Sequence, residues 1–188
     1  MSDWKKIYNK DEIPPEVELL INGMLDDNYR VEIVNKYIGS WLGRQELLNH
    51  YNVKDKDGES IVLTKKEWGK MAIVPTLNIS IRSHWSKTHK QKKQWTWIIR
   101  HCMDKANIKR ASEDMSYLLL LTSYRKRMMD QDNLYGSHKW MIDALRGAGF
   151  IYDDDLGHCQ MVVRQEKATK KTGQEIKSLI ERFRLFRL

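Results

Sequence analysis

The sequence predicts a domain of mixed α-helices and β-strands, preceded by a small, mainly helical segment. Three observations carry that expectation. Apolar residues recur at helical spacing in several stretches, and a nearly continuous apolar run from Tyr117 to Ser123 has the length of a buried strand. The character of the chain also changes near residue 70, from slightly acidic to strongly basic. Hydrophobic residues make up 41% of the 188 positions, enough to bury a core.

The elements follow in order. Pro14 and Pro15 suit a helix start, with Val17, Leu20, Ile21 and Met24 behind them at helical spacing. Asp26, Asp27 and Asn28 make a turn or cap before a second helix bearing Val31, Val34 and Ile38. Gly39 and Gly43 bracket a tight connection, and Leu47, Leu48 and Tyr51 mark a third helix. The segment Val31 to Tyr51 fits a helix-turn-helix whose second helix offers Arg44, Gln45 and Asn49 to DNA. Any small helical bundle produces the same pattern. Asp57-Gly58 signals a turn, Ser60 to Leu63 a short strand, and Thr64 with Glu67 a capping box. These residues compose the expected extension, 1–70.

From Met71 onward a larger unit, 71–188, is expected. Ile73, Val74 and Pro75 read as a strand running into a loop. Ser83 caps a long helix to about Ala106, with Trp85, Trp95, Ile98, Ile99, Cys102 and Ala106 on its apolar stripe. After the strand at Tyr117–Ser123 comes a basic turn, Arg125-Lys126-Arg127, then an amphipathic helix from about Asn133 to Gly147 with Leu134, Met141, Ala144 and Leu145 inward. Gly149 ends that helix, Phe150 to Tyr152 read as a strand, and His158 to Arg164 as another. In the tail, Ile176, Leu179, Ile180 and Phe183 fit a helix, while Leu179, Phe183 and Leu185 fit strand alternation. No internal repeat or low-complexity stretch occurs.

Composition narrows the classes of function. Residues 1–70 hold 11 basic and 13 acidic side chains, whereas residues 71–188 hold 22 and 12, so the net charge of +8 sits in the second part. A concentrated basic excess suits a polyanion, because each neutralised phosphate releases condensed counterions. On the long helix, Lys87, Lys90, Lys92, Lys93 and Arg100 precede the first acid, Asp104. Such a run is either a solvated face or a DNA-facing patch, and the lack of interleaved acids favours DNA. No apolar run is long enough for a membrane span, and the charged start has no secretory h-region, so a soluble intracellular protein is expected. Cys102 and Cys159 stand in no zinc-binding spacing and read as buried free thiols.

Asp130-Gln131-Asp132-Asn133 follows a buried strand and precedes a helix, and Asp153 to Asp155 follow a second apolar segment. Were those strands neighbours in one sheet, their ends would gather several carboxylates, an arrangement that calls for a cation. Hard oxygen donors select Mg²⁺, with Mn²⁺ as substitute. One or two ions held there would polarise a phosphodiester and lower the pKa of bound water. Lys139, Arg125 and Arg127 would supply positive charge to the phosphate. The blander alternatives are a helix cap for the first motif and a solvated loop for the second. An EF-hand is excluded by Leu134 and Tyr135, which stand where an oxygen ligand and a glycine are required.

The order Arg125-x-Arg127, Asp130-x-Asp132-Asn133-Leu134, Lys139, Asp143-Ala144-Leu145, Gly149-Phe150-Ile151-x-Asp153-Asp154 resembles the RusA family of Holliday-junction resolvases. Pro75, Asn78, His84-Trp85 and the lysine-rich helix resemble its opening segment, so the likeness spans roughly residues 71–165. It implies an α+β fold with a mixed sheet and flanking helices, and a homodimer able to nick a two-fold junction symmetrically. It further implies Asp130, Asp132, Asp154 and Lys139 as catalytic residues, and Asp130, Asp132, Asp154 and Asp153 as metal ligands. Lys87, Lys90, Lys92, Lys93, Arg125 and Arg127 would hold branched DNA. The implied activity is Mg²⁺-dependent, structure-selective cleavage of four-way junctions by a cytoplasmic enzyme of bacterial or phage origin, with no membrane partner. Flaps or other branched DNA are alternative substrates, and a non-catalytic DNA-binding protein on the same scaffold is the rival reading. Lys139 lies seven residues after Asp132, where the family's spacing is four, with Tyr135, Gly136 and Ser137 as the extra residues. Offsets of four and seven share a helix face.

Overall fold

The computed structural model describes residues 43–76, 85–168 and 176–185. Its elements are helix α1 (Arg44–His50), strand β1 (Gly58–Thr64), the short helix α2 (Lys65–Trp68), the long helix α3 (Trp85–Lys105), strand β2 (Ser116–Arg125), helices α4 (Gln131–Ser137) and α5 (Lys139–Ala148), and strands β3 (Cys159–Lys167) and β4 (Ile176–Leu185). The four strands form one mixed sheet in the order β1-β4-β2-β3. β4 runs antiparallel to both β1 and β2, while β2 and β3 are parallel, with Tyr117 opposite Cys159 and Arg125 opposite Lys167.

β2 is covered on both faces, which accounts for its unbroken apolar sequence. Leu119 and Leu121 join Ile61, Leu63, Met161, Val163 and Ile180 on the face that packs against α3 and α5. Leu118 and Leu120 join Val162 and Phe183 on the other face, under Leu47 and Leu48 of α1. α3 presents Trp95, Ile98, Ile99 and Met103 to the first core, so the stripe ends on Met103 and leaves Ala106 exposed. The Trp95 indole donates to the Met71 carbonyl at 2.9 Å, tying α3 to the turn after α2.

Several expectations need correction. The chain does not divide at residue 70: β1 is an edge strand of the same sheet, and α1 closes its second core. The expected helices between Pro14 and Ile38, the first helix of the helix-turn-helix pattern and the Ser83 cap lie outside the described residues. Within the pattern's second helix, Arg44 is committed to the fold by a bidentate pair with the buried Glu181 (2.9 and 3.1 Å from Nε) and a further bond to Asp55. Ile73 to Pro75 are not a strand but irregular chain, in which the Val74 carbonyl accepts the Arg125 guanidinium. Phe150 to Tyr152 are not a strand either. They follow Gly149, whose φ of +83° sets the left-handed cap of α5, and the Phe150 N–H returns to the Leu145 carbonyl at 2.9 Å. The expected single helix from Asn133 to Gly147 is two helices broken at His138. In the tail, strand alternation wins over the helix, as β4 pairs on both sides.

Other expectations hold. Thr64 caps α2 by accepting the Glu67 N–H at 3.2 Å. Cys159 is buried and Cys102 partly buried, both as free thiols, and burial pushes the Cys159 thiol up to about 12. Among the described residues no helix is long and apolar enough to cross a membrane.

Candidate functional site

Asp130 stands at the N-terminus of α4 and acts first as its cap. One carboxylate oxygen accepts the Asn133 N–H at 2.9 Å, and the other accepts the Asn133 side-chain amide at 2.6 Å. Those two bonds hold its carboxyl below the usual carboxylate range. Asp132 is exposed in the first turn of α4, where the helix dipole favours a negative charge. This end of the molecule lies beside the C-terminal ends of β2 and β3. The Gln165 side chain bonds both the N–H (2.8 Å) and the carbonyl (2.5 Å) of Met129.

Asp153, Asp154 and Asp155 occupy the loop that leads into β3. Arg146, in the last turn of α5, donates to Asp153 and Asp154 at 3.0 Å each. Asp153 also accepts the Asp154 N–H at 2.7 Å, which together with Arg146 keeps its carboxyl low. Partial burial and the neighbouring Asp153 push the Asp154 carboxyl the other way, upward. Asp155 turns back on the chain, accepting the Gly157 N–H at 2.7 Å and pairing with His158 at 2.7 Å.

The two acidic groups therefore sit at opposite ends of the parallel pair β2/β3. Gln165, beside Asp130, lies six positions along β3 from Cys159, beside Asp155. Six strand residues span roughly 20 Å, too far for shared coordination of an ion. Among the described residues no group of three or more His, Cys, Asp or Glu side chains can hold a metal. The expectation that one chain gathers Asp130, Asp132, Asp153 and Asp154 into a single cluster is thus corrected. Its premise was a strand at Phe150–Tyr152 ending beside β2, and that strand does not exist. Lys139 is exposed at the start of α5, across the His138 break from Asp132.

The expected DNA-holding cations also divide. Lys87, Lys90 and Lys93 are exposed along α3, and Arg127 is exposed after β2. Lys92 pairs with Asp143 of α5 at 3.0 Å, and Arg100 donates to the Gly147 carbonyl at 2.6 Å, so this side of α3 fastens α5. Arg125 is half-buried and donates to the Val74 carbonyl at 2.8 Å. Burial lowers its pKa, and its place among DNA-facing cations is corrected accordingly.

Two residues escaped sequence reasoning. Arg146 pairs with both Asp153 and Asp154; its position seven residues upstream of Asp153, across the helix cap, was the available signal. Trp97 is 62% exposed on α3, out of phase with the buried stripe, and that phase offset was its signal. No family model, curated protein or solved structure matches the chain.

Proposed function

We propose that this chain is a Mg²⁺-dependent endonuclease for branched DNA, of the RusA type, whose reaction centre is completed by two copies of the chain. The observation carrying this reading is the placement of the acids at the two ends of one helical pair. Asp130 and Asp132 open α4, while Asp153 and Asp154 lie just beyond α5. Two chains related by a two-fold axis, with these helical pairs antiparallel, would bring the first group of each to the second group of the other, twice. Among its described residues neither chain alone offers the donors for an ion; a pair would offer four carboxylates at each of two centres. A divalent cation bound there would supply charge to a phosphodiester oxygen and acidify a water. The chain's own residues have separable tasks. Arg146 holds the Asp153-Asp154 pair in place, the exposed Lys139 would meet a phosphate oxygen, and exposed Lys87, Lys90 and Lys93 would neutralise DNA arms. The order of motif residues supports the substrate class, and the sequence pI of about 9.4 suits a polyanion.

A specific observation favours a second reading. Asp130 is used as a helix cap and Asp153-Asp154 as an ion pair, which are structural roles that a non-catalytic DNA-binding protein would also need. Incubation of purified protein and Mg²⁺ with a synthetic four-way junction, a flap and a linear duplex at one salt concentration separates the readings. The nuclease reading expects the branched substrates to be cut by the wild type, and Asp132→Asn to bind without cutting. Undiminished cleavage by Asp132→Asn refutes the site assignment, and binding without any cleavage by the wild type supports the second reading.

A further inference from the structure

Trp97 stands at the centre of an aromatic cluster on the outer side of α3. His101, one turn later, stacks against its indole (5.7 Å between centroids, 16° between planes). Trp68 of α2 meets Trp97 edge-on at 6.0 Å and 80°, and meets His101 at 5.7 Å and 76°. The indole thus has two aromatic neighbours and is nonetheless 62% exposed to solvent. A large aromatic so exposed costs solvation without filling a core, and a planar ligand would recover that cost.

The surroundings indicate what kind of ligand. Trp97 lines two depressions, of about 410 and 300 Å³. Lys90 and Lys93 line the larger one, and Lys93 and Arg100 the smaller. Glu67 is the sole carboxylate among the residues lining either, and it pairs with Lys105 at 3.7 Å. An exposed indole beside cations matches the chemistry of an unpaired nucleotide, whose base stacks while its phosphates meet the lysines. An apolar peptide would leave the cations unused.

We infer that Trp97 is a stacking platform for an unpaired base of DNA, with Lys90 and Lys93 holding the adjoining phosphates. This rests on the reading of the chain as a branched-DNA protein and deepens it: a flap exposes unpaired bases, and an opened branch point exposes unstacked ones, that a linear duplex lacks. The platform would then contribute to structure selectivity.

The test is fluorescence-anisotropy titration of the full chain with a labelled oligothymidine and with a labelled linear duplex, in EDTA so that no cleavage occurs. Trp97→Ala should weaken oligothymidine binding roughly tenfold or more, leave duplex binding within about twofold, and preserve the dependence on salt. Trp97→Phe should restore most of the loss; Trp97→Leu, which keeps bulk without a π-face, should not. Replacing Lys90 and Lys93 together by Ala should weaken both ligands and flatten the salt dependence. Equal oligothymidine affinity for wild type and Trp97→Ala overturns the inference. So does rescue by leucine as complete as rescue by phenylalanine, or a wild type that ignores oligothymidine. None of these outcomes touches the nuclease reading, whose fate depends on cleavage in Mg²⁺.

Discussion

His138 shows how a single residue can be both hinge and pH-sensitive support. It is fully buried at the break between α4 and α5, with Nε2 2.9 Å from the Ser123 hydroxyl and Nδ1 2.8 Å from the Leu134 carbonyl. A carbonyl only accepts, so Nδ1 carries the proton and Nε2 accepts from Ser123. Burial lowers the pKa of the ring from 6.5 to about 4, against the opposing pull of the Leu134 carbonyl. Above pH 6.5 the ring is neutral in both folded and unfolded chains, and the contribution to stability is complete. Below that, the unfolded chain takes up a proton that the folded chain refuses until about pH 4, so stability falls across this window. The loss amounts to about 3 kcal/mol at its full extent. Urea denaturation at a series of pH values should show this decline, and His138→Gln should flatten it; an unchanged slope in the variant would remove His138 as the cause. At this scale the sequence was only partly legible. Asp130 was visible as either a ligand or a cap, and the choice between them depends on bonds that spacing does not determine.

Among elements, the legible ones were those whose neighbours cover them in the simplest way. β2 is buried on both faces, α3 on one, and each wrote its own periodicity into the chain. Phe150 and Ile151 misled because burial alone does not distinguish a strand from a capped turn packed inward. The break at His138 was equally hidden: Gly136 and Ser137 lie inside α4, and the interruption follows from the ring's turn into the core toward Ser123. β1 depends on a close approach that the sequence signalled only as a turn glycine. A Cβ on Gly58 would lie 2.3 Å from the Phe183 ring, which is fully buried under α1. Gly58→Ala should therefore destabilise the chain by about 1–3 kcal/mol by forcing that ring aside. Thermal melting of the variant checks this, and an unchanged midpoint would mean that the ring has room to move.

For the whole molecule, the decisive feature is the parallel pairing of β2 with β3. A parallel crossover must carry the chain from the end of one strand back to the start of the next, so residues just after β2 and just before β3 lie at opposite sheet ends. The sequence showed both acidic groups and the helical stretch between them, but not which strand pairs with which. An antiparallel pairing would have joined the acids in one chain; under the proposed function, the parallel one leaves their meeting to a second copy. Arg182, buried and stacked between Tyr117 at 4.7 Å and Phe150 at 4.6 Å, helps keep the Asp153 loop in place by donating to the Phe150 carbonyl.

Complementation between two inactive variants tests this arrangement most directly. Asp132→Asn and Asp154→Asn are each refolded alone and as an equal mixture, then assayed for cleavage of a four-way junction in Mg²⁺. A centre shared between chains leaves each mixed dimer with one centre free of substitutions. The mixture should therefore recover about a quarter of wild-type centres, as expected for random pairing of subunits. A mixture as inactive as its two components, in chains that demonstrably exchange subunits, would contradict the shared centre.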